Sequence, residues 1–350
     1  MPDPSSNGSK SLHVLVLPPP SLCRKLFAPE AEARLRQVAL CVELNGEERD
    51  WTSGELARRI GEFDVVVTGW RSPKFTTEVL RAARPRPLKL IAHSAGSIKF
   101  LFEDEQSMFG SFAVTTAAAA MGPAVAEMAL QALLMLLRPL HVLDAGMKAG
   151  GDWRELKACG SKRQTELTAQ RVGVIGAGHT GRHFIRMLRA LRVQTSVYDP
   201  YMDNARAAEM DVERIESLDE LLSSSTAVAL HAPATPETHH MIGRRELALL
   251  IDGAIFINTA RPSLVDHDAL RDELRSGRIS AALDVFPEEP LPADSPFRRL
   301  NNVLITPHIA SHTTQCYYRQ GDCVVEEIRR LAHGEPPRYA VTPEMLPTMA

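Results

Sequence analysis

Three short apolar runs in the C-terminal half of this 350-residue chain each end on a group that can do chemistry. Ile255-Phe256-Ile257-Asn258 leads to Thr259-Ala260-Arg261, and Ala281-Ala282-Leu283 leads to Asp284-Val285-Phe286-Pro287-Glu288-Glu289. Leu304-Ile305-Thr306 leads to Pro307-His308. If the runs are neighbouring strands of a parallel sheet, their C-terminal ends share the rim where ligands bind. An arginine, a carboxylate pair and a histidine would then meet. Arginine grips a carboxylate bidentately and polarises an adjacent carbonyl. Histidine gives or takes a proton near neutral pH, and a neighbouring carboxylate holds the imidazole and favours its charged form. A plainer reading makes His308 a packing residue and Asp284 a turn cap. Of the adjacent pair, Glu288 reads as solvated and Glu289 as the working acid.

The element these groups would serve lies upstream, at residues 171–199. Val172-Gly173-Val174-Ile175 reads as a buried strand running into Gly176-Ala177-Gly178-His179-Thr180-Gly181. A helical pattern follows, with Phe184, Ile185, Leu188 and Leu191 on one side, then a second apolar strand ending at Asp199. Gly176 permits the tight turn, Gly178 lets backbone approach a pyrophosphate, and Gly181 lets helix and strand pack closely. The helix N-terminus offers unpaired N–H groups to phosphate. Asp199, 18 residues past Gly181, can accept both adenosine ribose hydroxyls and would repel a 2′-phosphate, which favours NAD over NADP. Three glycines alone are weak, because turn chemistry also explains them. The strand, helix, second strand and terminal acid in register make the signal specific.

At 44% hydrophobic residues and this length, the chain can bury a sizeable core and suggests two domains. A net charge of −3 without a basic block argues against nucleic acid. Five scattered cysteines form no CxxC or metal spacing, so no metal is expected and reduced thiols in the cytoplasm are the default. The polar start, MPDPSSNGSK, reads as disordered and not as a secretory signal. The longest apolar segment, residues 124–137, reads as too short to span a bilayer, so no membrane partner is expected.

Strand and helix patterns alternate along the chain, which implies α/β architecture with parallel sheets. Strands are expected at residues 12–17, 42–44, 63–68, 88–92 and 114–116. Helices are expected at 30–38, at 53–60 with Ser53 as N-cap, and at 76–84. An apolar helix follows Pro123 to about Leu137, breaks at Pro139 and resumes to Met147. It reads as interdomain or dimer packing, not as a cofactor site. Residues 150–153 and 157–163 read as a surface loop. Beyond Asp199, strands are expected at 214–215, 227–231, 254–258, 280–284 and 303–306, with helices at 217–222, 244–250, 266–276 and 316–331. His231, His239, His240 and His312 read as loop or packing residues. Trp70 and Arg71 end a strand in the first half, and a second anionic group on a substrate would want a cation such as Arg71.

Taken together, VGVIGAGHTGR, YDP, LHAPATPET, INTAR, ALDVFPEEPL and TPHIASHT stand in an order and spacing that resembles the NAD-dependent D-isomer-specific 2-hydroxyacid dehydrogenase family over nearly the whole chain. The resemblance implies two Rossmann-like domains with doubly wound parallel sheets. A flavodoxin-like substrate domain would cover residues 1–112 and 313–350, and an NAD-binding domain 113–312. It implies that Arg261 binds substrate, that His308 is the acid/base and that Glu289 orients it. Ala95 and Gly96 would supply N–H groups to the substrate carboxylate. Asp284 would hold the nicotinamide carboxamide, with backbone of Thr259 and Ala260 near the same ring and Pro233 on the adenine side. Gly176, Gly178, His179, Thr180, Gly181, Asp199, Thr238 and Ala310 complete the expected NAD contacts. The implied activity is hydride transfer between NAD(H) and a 2-keto acid or D-2-hydroxy acid, in a homodimer joined by the long helix. The sequence departs from the family at Pro262, where many members carry glycine, and near Ile98-Lys99, which lacks the common Asp-Asn. His179 stands where relatives often carry arginine. Two alternatives remain on the same fold: a substrate bearing phosphate or phosphonate, or phosphite itself, and a non-catalytic NAD-sensing corepressor.

Overall fold

The computed structural model describes residues 12–161 and 164–349. The N-terminal stretch read as disordered lies outside the described residues, as do 162–163 of the expected loop. The chain divides into two compact units, Met1–Met121 with His312–Ala350, and Gly122–Ser311.

The first unit holds β1 (His13–Val16), β2 (Cys41–Leu44), β3 (Val65–Thr68), β4 (Leu90–His93) and β5 (Ala113–Thr116). All pair in parallel in the order β2-β1-β3-β4-β5, which is the flavodoxin-like order. Near-continuous valine and leucine runs suit strands covered on both faces. Leu15, Val66 and Ile91 pack in one core with Leu56, Ile60 and Phe75. The alternate residues Val14, Val16, Val65 and Val67 pack in another with Leu26, Leu35 and Ile328. The C-terminal helix Thr314–Ala332 closes that second face against helices Pro20–Leu26 and Pro29–Val38.

The second unit holds β6 (Arg171–Ile175), β7 (Gln194–Tyr198), β8 (Glu213–Arg214), β9 (Ala227–Leu230), β10 (Ile255–Asn258), β11 (Ser280–Leu283) and β12 (Val303–Ile305). Their order is β12-β11-β10-β9-β6-β7-β8, again all parallel. Strand order reverses between β6 and β9, which leaves a crevice beyond their C-terminal ends. The register aligns those ends. Ile175 pairs with Tyr198 and Leu230, Leu230 with Asn258, Asn258 with Leu283, and Leu283 with Ile305. Gly176, Asp199, His231, Thr259, Asp284 and Thr306 therefore all leave the sheet at one rim.

Several local expectations need correction. The helix at Ser53–Arg59 is capped by Thr52, whose side chain accepts the Glu55 N–H while Glu55 accepts the Thr52 N–H. This reciprocal box takes up two otherwise orphaned donors, which Ser53 could not do one residue later. Pro20, the last of three prolines after β1, opens helix Pro20–Leu26, which the sequence reading did not anticipate, with a φ already suited to it. The long apolar helix spans Ala118–Leu137 and runs through Gly122-Pro123. Its 20 residues would suffice in length to cross a bilayer, but half of its apolar window is buried inside the protein, with Ala126, Ala129 and Leu133 in a core of the second unit. Residues 153–161 form helix Trp153–Ser161, not loop; Asp152 accepts the N–H groups of Arg154 and Glu155 at its start. The first unit reaches Met121, not 112, because Ala113–Thr116 pairs with β4.

Candidate active site

Three glycines shape the turn after β6, each for its own reason. Gly176 has φ of 90°, and a Cβ there would lie 2.8 Å from the Ala232 nitrogen. A Cβ on Gly181 would lie 2.0 Å from the Gly176 carbonyl oxygen, so helix and strand meet there without room for a side chain. Gly178 differs: it caps helix His179–Ala190 without a side-chain bond, and nothing lies within 4 Å of a Cβ placed on it. Open space thus sits at the first N–H groups of a 12-residue helix. His179 is exposed there and Thr180 half-buried. Partial loss of water around its ring despite that exposure, with the charges of Arg182 and His183, lowers the His179 pKa.

Asp199 leaves β7 beside this turn. Its Oδ2 accepts the Ala177 N–H at 2.7 Å and its Oδ1 the Tyr201 N–H at 2.9 Å. Arg206, which the sequence reading missed, donates to the Ala177 carbonyl at 3.1 Å and holds the turn from the other side. On the loop after β9, Thr238 donates its hydroxyl to the Pro233 carbonyl at 2.7 Å and accepts the Thr235 N–H at 2.8 Å. This side-chain closure gives the segment 233–238 a fixed path. A tight turn, an open helix start and an acid at the second strand's end fit a dinucleotide.

The remaining strand ends carry the titratable groups. Asn258, fully buried, donates to the Arg261 carbonyl at 3.1 Å and accepts the Ala260 N–H at 3.0 Å. It therefore shapes the turn that presents Arg261. The only signal for it in sequence is its place before Thr259. Arg261 donates to the Ala260 carbonyl at 2.8 Å. Burial lowers its pKa, and the nearby Glu289 carboxylate pulls it back up. The Thr259 hydroxyl is buried without a partner among the described residues.

Asp284 is 2% exposed, and its carboxylate accepts three hydrogen bonds. They come from the Thr306 hydroxyl at 2.5 Å, the Ile309 N–H at 2.9 Å and the Ala310 N–H at 2.9 Å. These donors flank His308, whose φ of 53° is left-handed and strained for a side-chain-bearing residue. Such strain costs roughly 1–3 kcal/mol and persists only where surroundings over-determine it. Glu289 accepts the Phe286 N–H at 2.9 Å through Oε1 and faces His308 Nδ1 at 2.8 Å through Oε2. Burial raises the Glu289 pKa, but the hydrogen bonds from His308 and Phe286, with the Arg261 charge, bring it below its ordinary value. With Nδ1 engaged, Nε2 is the His308 nitrogen left to exchange a proton. Glu288, its neighbour, is exposed.

In the first unit, Ala95 and Gly96 lie in the turn after β4. The Thr116 hydroxyl bonds to both of their carbonyl oxygens, at 2.6 and 2.9 Å. Among the described residues neither N–H has a backbone acceptor. Arg71 is not gathered into this turn. Its φ is 71°, its side chain is 80% exposed, and it pairs with Asp50 at 2.7 Å. His231 is buried and packs edge-on against Phe184 at 5.2 Å, while His239 and His240 stack on each other in an exposed loop. His312 tilts against Tyr317.

Two doubly wound parallel sheets, one with a glycine-turn nucleotide site, define the class: an α/β protein that binds a dinucleotide. Residues 130–310 match the family model for the D-isomer specific 2-hydroxyacid dehydrogenase, NAD binding domain. The chain is 34% identical over 285 residues to D-3-phosphoglycerate dehydrogenase of Methanocaldococcus jannaschii, covering 81% of this chain and 52% of that one. It is 34% identical over 294 residues to hydroxypyruvate reductase of Thermotoga maritima, covering 81% of this chain and 92% of that one. The solved structure of TT0316 protein from Thermus thermophilus superposes with a TM-score of 0.76 at 27% identity, covering 95% of this chain and all of that one. This chain belongs to the D-isomer-specific 2-hydroxyacid dehydrogenase family, and NAD is the cofactor of its second unit. It spans about half the length of the phosphoglycerate dehydrogenases it matches.

Proposed function

We propose that the chain is an NAD-dependent dehydrogenase that interconverts a 2-keto acid and its D-2-hydroxy acid. The observation that carries the reading is the 2.8 Å contact between His308 Nδ1 and Glu289 Oε2, with Arg261 following the adjacent strand β10. NAD, when bound at the Gly176 turn, supplies or takes the hydride at the substrate carbon. His308 gives its Nε2 proton to the carbonyl oxygen in reduction and takes it back in oxidation. Glu289 holds the ring in place and stabilises the imidazolium. Arg261 and the N–H groups of Ala95 and Gly96 bind the carboxylate. In this reading Asp284 holds the nicotinamide carboxamide and also positions the His308 loop through Ile309 and Ala310, and Thr259 and Ala260 line the nicotinamide side.

The substrate is a small anionic molecule, and nucleic acid and membrane are not partners. The protein works in the cytoplasm, consistent with the free thiols of Cys23, Cys41, Cys316 and Cys323. It pairs as a homodimer, supported by exposed Leu134, Leu140, Met147 and Trp153 along consecutive helices of the second unit. A second reading, a phosphate-bearing substrate, is favoured by the relatives named D-3-phosphoglycerate dehydrogenase. Mixing the protein with NADH and a panel of 2-keto acids, with and without phosphate, tests the assignment by loss of nicotinamide absorbance. Turnover of at least one supports it. NADH binding without turnover of any panel member supports a sensor instead.

A further inference from the structure

The rim of the first sheet carries an aromatic stack that the proposed chemistry does not use. Trp70 follows β3 and stacks on Phe100, with ring centroids 6.1 Å apart and planes 9° from parallel. His93, the last residue of β4, meets both rings edge-on at 6.2 and 5.8 Å. Strand register explains the gathering, because Thr68 pairs with His93 and both chains leave the sheet together. The carboxylate-binding turn proposed above, Ala95-Gly96, begins two residues after His93.

Three features set this stack apart from ordinary core packing. Trp70 is 41% exposed at a rim where ligands of parallel sheets bind, so part of the residue remains open to a ligand. The backbone that aims it is fixed. Ser72 donates its N–H to the Gly69 carbonyl at 3.2 Å, its hydroxyl accepts the Gly69 N–H at 2.9 Å, and Arg71 sits at a left-handed φ. The third feature is charge. Arg71 is paired with Asp50 at 2.7 Å, and Lys99, next to Phe100, with Glu105 at 3.5 Å. His93 is buried, bonded to the Thr68 hydroxyl at 2.9 Å, and stays neutral because burial holds its pKa down at about 3. Met121 adds a thioether, 3.4 Å from a Cβ placed on Gly96. The turn is thus bordered by flat and soft apolar groups, and the two cations next to the stack in sequence, Arg71 and Lys99, each already face a carboxylate.

We propose that Trp70, seated on Phe100, forms the platform for the substrate side chain and selects 2-keto acids whose side chain is aromatic over those bearing a phosphate. This rests on the dehydrogenase reading and on carboxylate capture at Ala95-Gly96. With the carboxylate held at the turn, a planar side chain can lie on the indole, where aromatic pairs gain from offset stacking beyond the area they bury. A phosphate there would have to draw Arg71 from Asp50 or Lys99 from Glu105.

The test compares NADH-dependent reduction of phenylpyruvate, glyoxylate and phosphorylated hydroxypyruvate by wild type, Trp70→Ala and Trp70→Phe. Wild type should give its highest kcat/KM with phenylpyruvate. In Trp70→Ala the ratio of kcat/KM for phenylpyruvate to that for glyoxylate should fall about tenfold, mainly through KM, and Trp70→Phe should restore most of it. A merely structural tryptophan would lower both substrates together and leave the ratio unmoved, which would overturn the proposal. Preference for glyoxylate or phosphorylated hydroxypyruvate in wild type would overturn it too, while leaving the dehydrogenase reading intact. No turnover of any of the three would sink both.

Discussion

The carboxylate of Asp284 and the backbone N–H of Ala310 lie 2.9 Å apart across 26 residues of sequence, joining the end of β11 to the loop that presents His308. With the Ile309 N–H and the Thr306 hydroxyl on the same carboxylate, one buried acid fixes both sides of the strained histidine. Asp284→Ala would leave these donors without their charged acceptor. Hydrogen bonds to charged groups are worth about 1.5–3 kcal/mol, so urea unfolding should show a loss of at least that size. The histidine loop should also lose order, lowering turnover. A variant with wild-type urea midpoint and rate would refute the positioning role.

His308→Ala and Arg261→Lys test the acid/base and the carboxylate grip separately. Removing the proton donor should lower kcat by about 10²–10⁴, with NADH affinity kept. Arg261→Lys keeps a charge but loses the bidentate fork, so its effect should appear largely in KM. Steady-state rates with NADH fluorescence titrations check both. Near-normal kcat in His308→Ala would end the assignment.

The glycine turn predicts opposite outcomes for two alanine substitutions. Gly178→Ala puts a methyl group into open space, so the protein should fold with near-normal stability while NAD(H) binds more weakly where the pyrophosphate needs the backbone. Gly181→Ala drives a Cβ to 2.0 Å from a carbonyl oxygen and should destabilise the second unit itself. Thermal unfolding with and without NADH distinguishes them. Equal losses of stability would show that the turn is merely structural.

Stability should fall on acidification before the carboxylates titrate. His231, whose ring nitrogens have no partner among the described residues, is held by burial at about 4 instead of 6.5. Between those values the unfolded chain binds a proton that the folded chain does not. Stability therefore rises with pH across this window and is lost as pH falls, by up to about 1.4 kcal/mol per pH unit for this one group. His231→Leu should reduce the pH slope of the unfolding free energy between pH 6.5 and 4 by about one proton. An unchanged slope would contradict the neutral burial.

Much of this is legible in the chain because it is written at short range. Gly176, Gly178 and Gly181 encode a local turn, and apolar runs ending on Asp199, Arg261, Asp284 and His308 mark the rim once strands are taken as parallel. Element boundaries are less legible. Thr52 and Ser53 are both good caps by residue type, and only the reciprocal Glu55 bond decides for Thr52. Helix Ala118–Leu137 begins well before Pro123, although proline so often opens a helix that its place inside one is hard to see.

Periodicity and turn chemistry act between residues near in sequence, so the two parallel sheets, the glycine-turn nucleotide site and the roster of titratable side chains follow from the chain alone. Which partners those side chains take was settled by folding. It paired Glu289 with His308 across 19 residues, committed Asp284 to the loop it orders, and sent Arg71 to Asp50. It also set Trp70 against Phe100 and His93. Such contacts depend on strand register and on the paths of separate loops, which fix distances that no local spacing encodes.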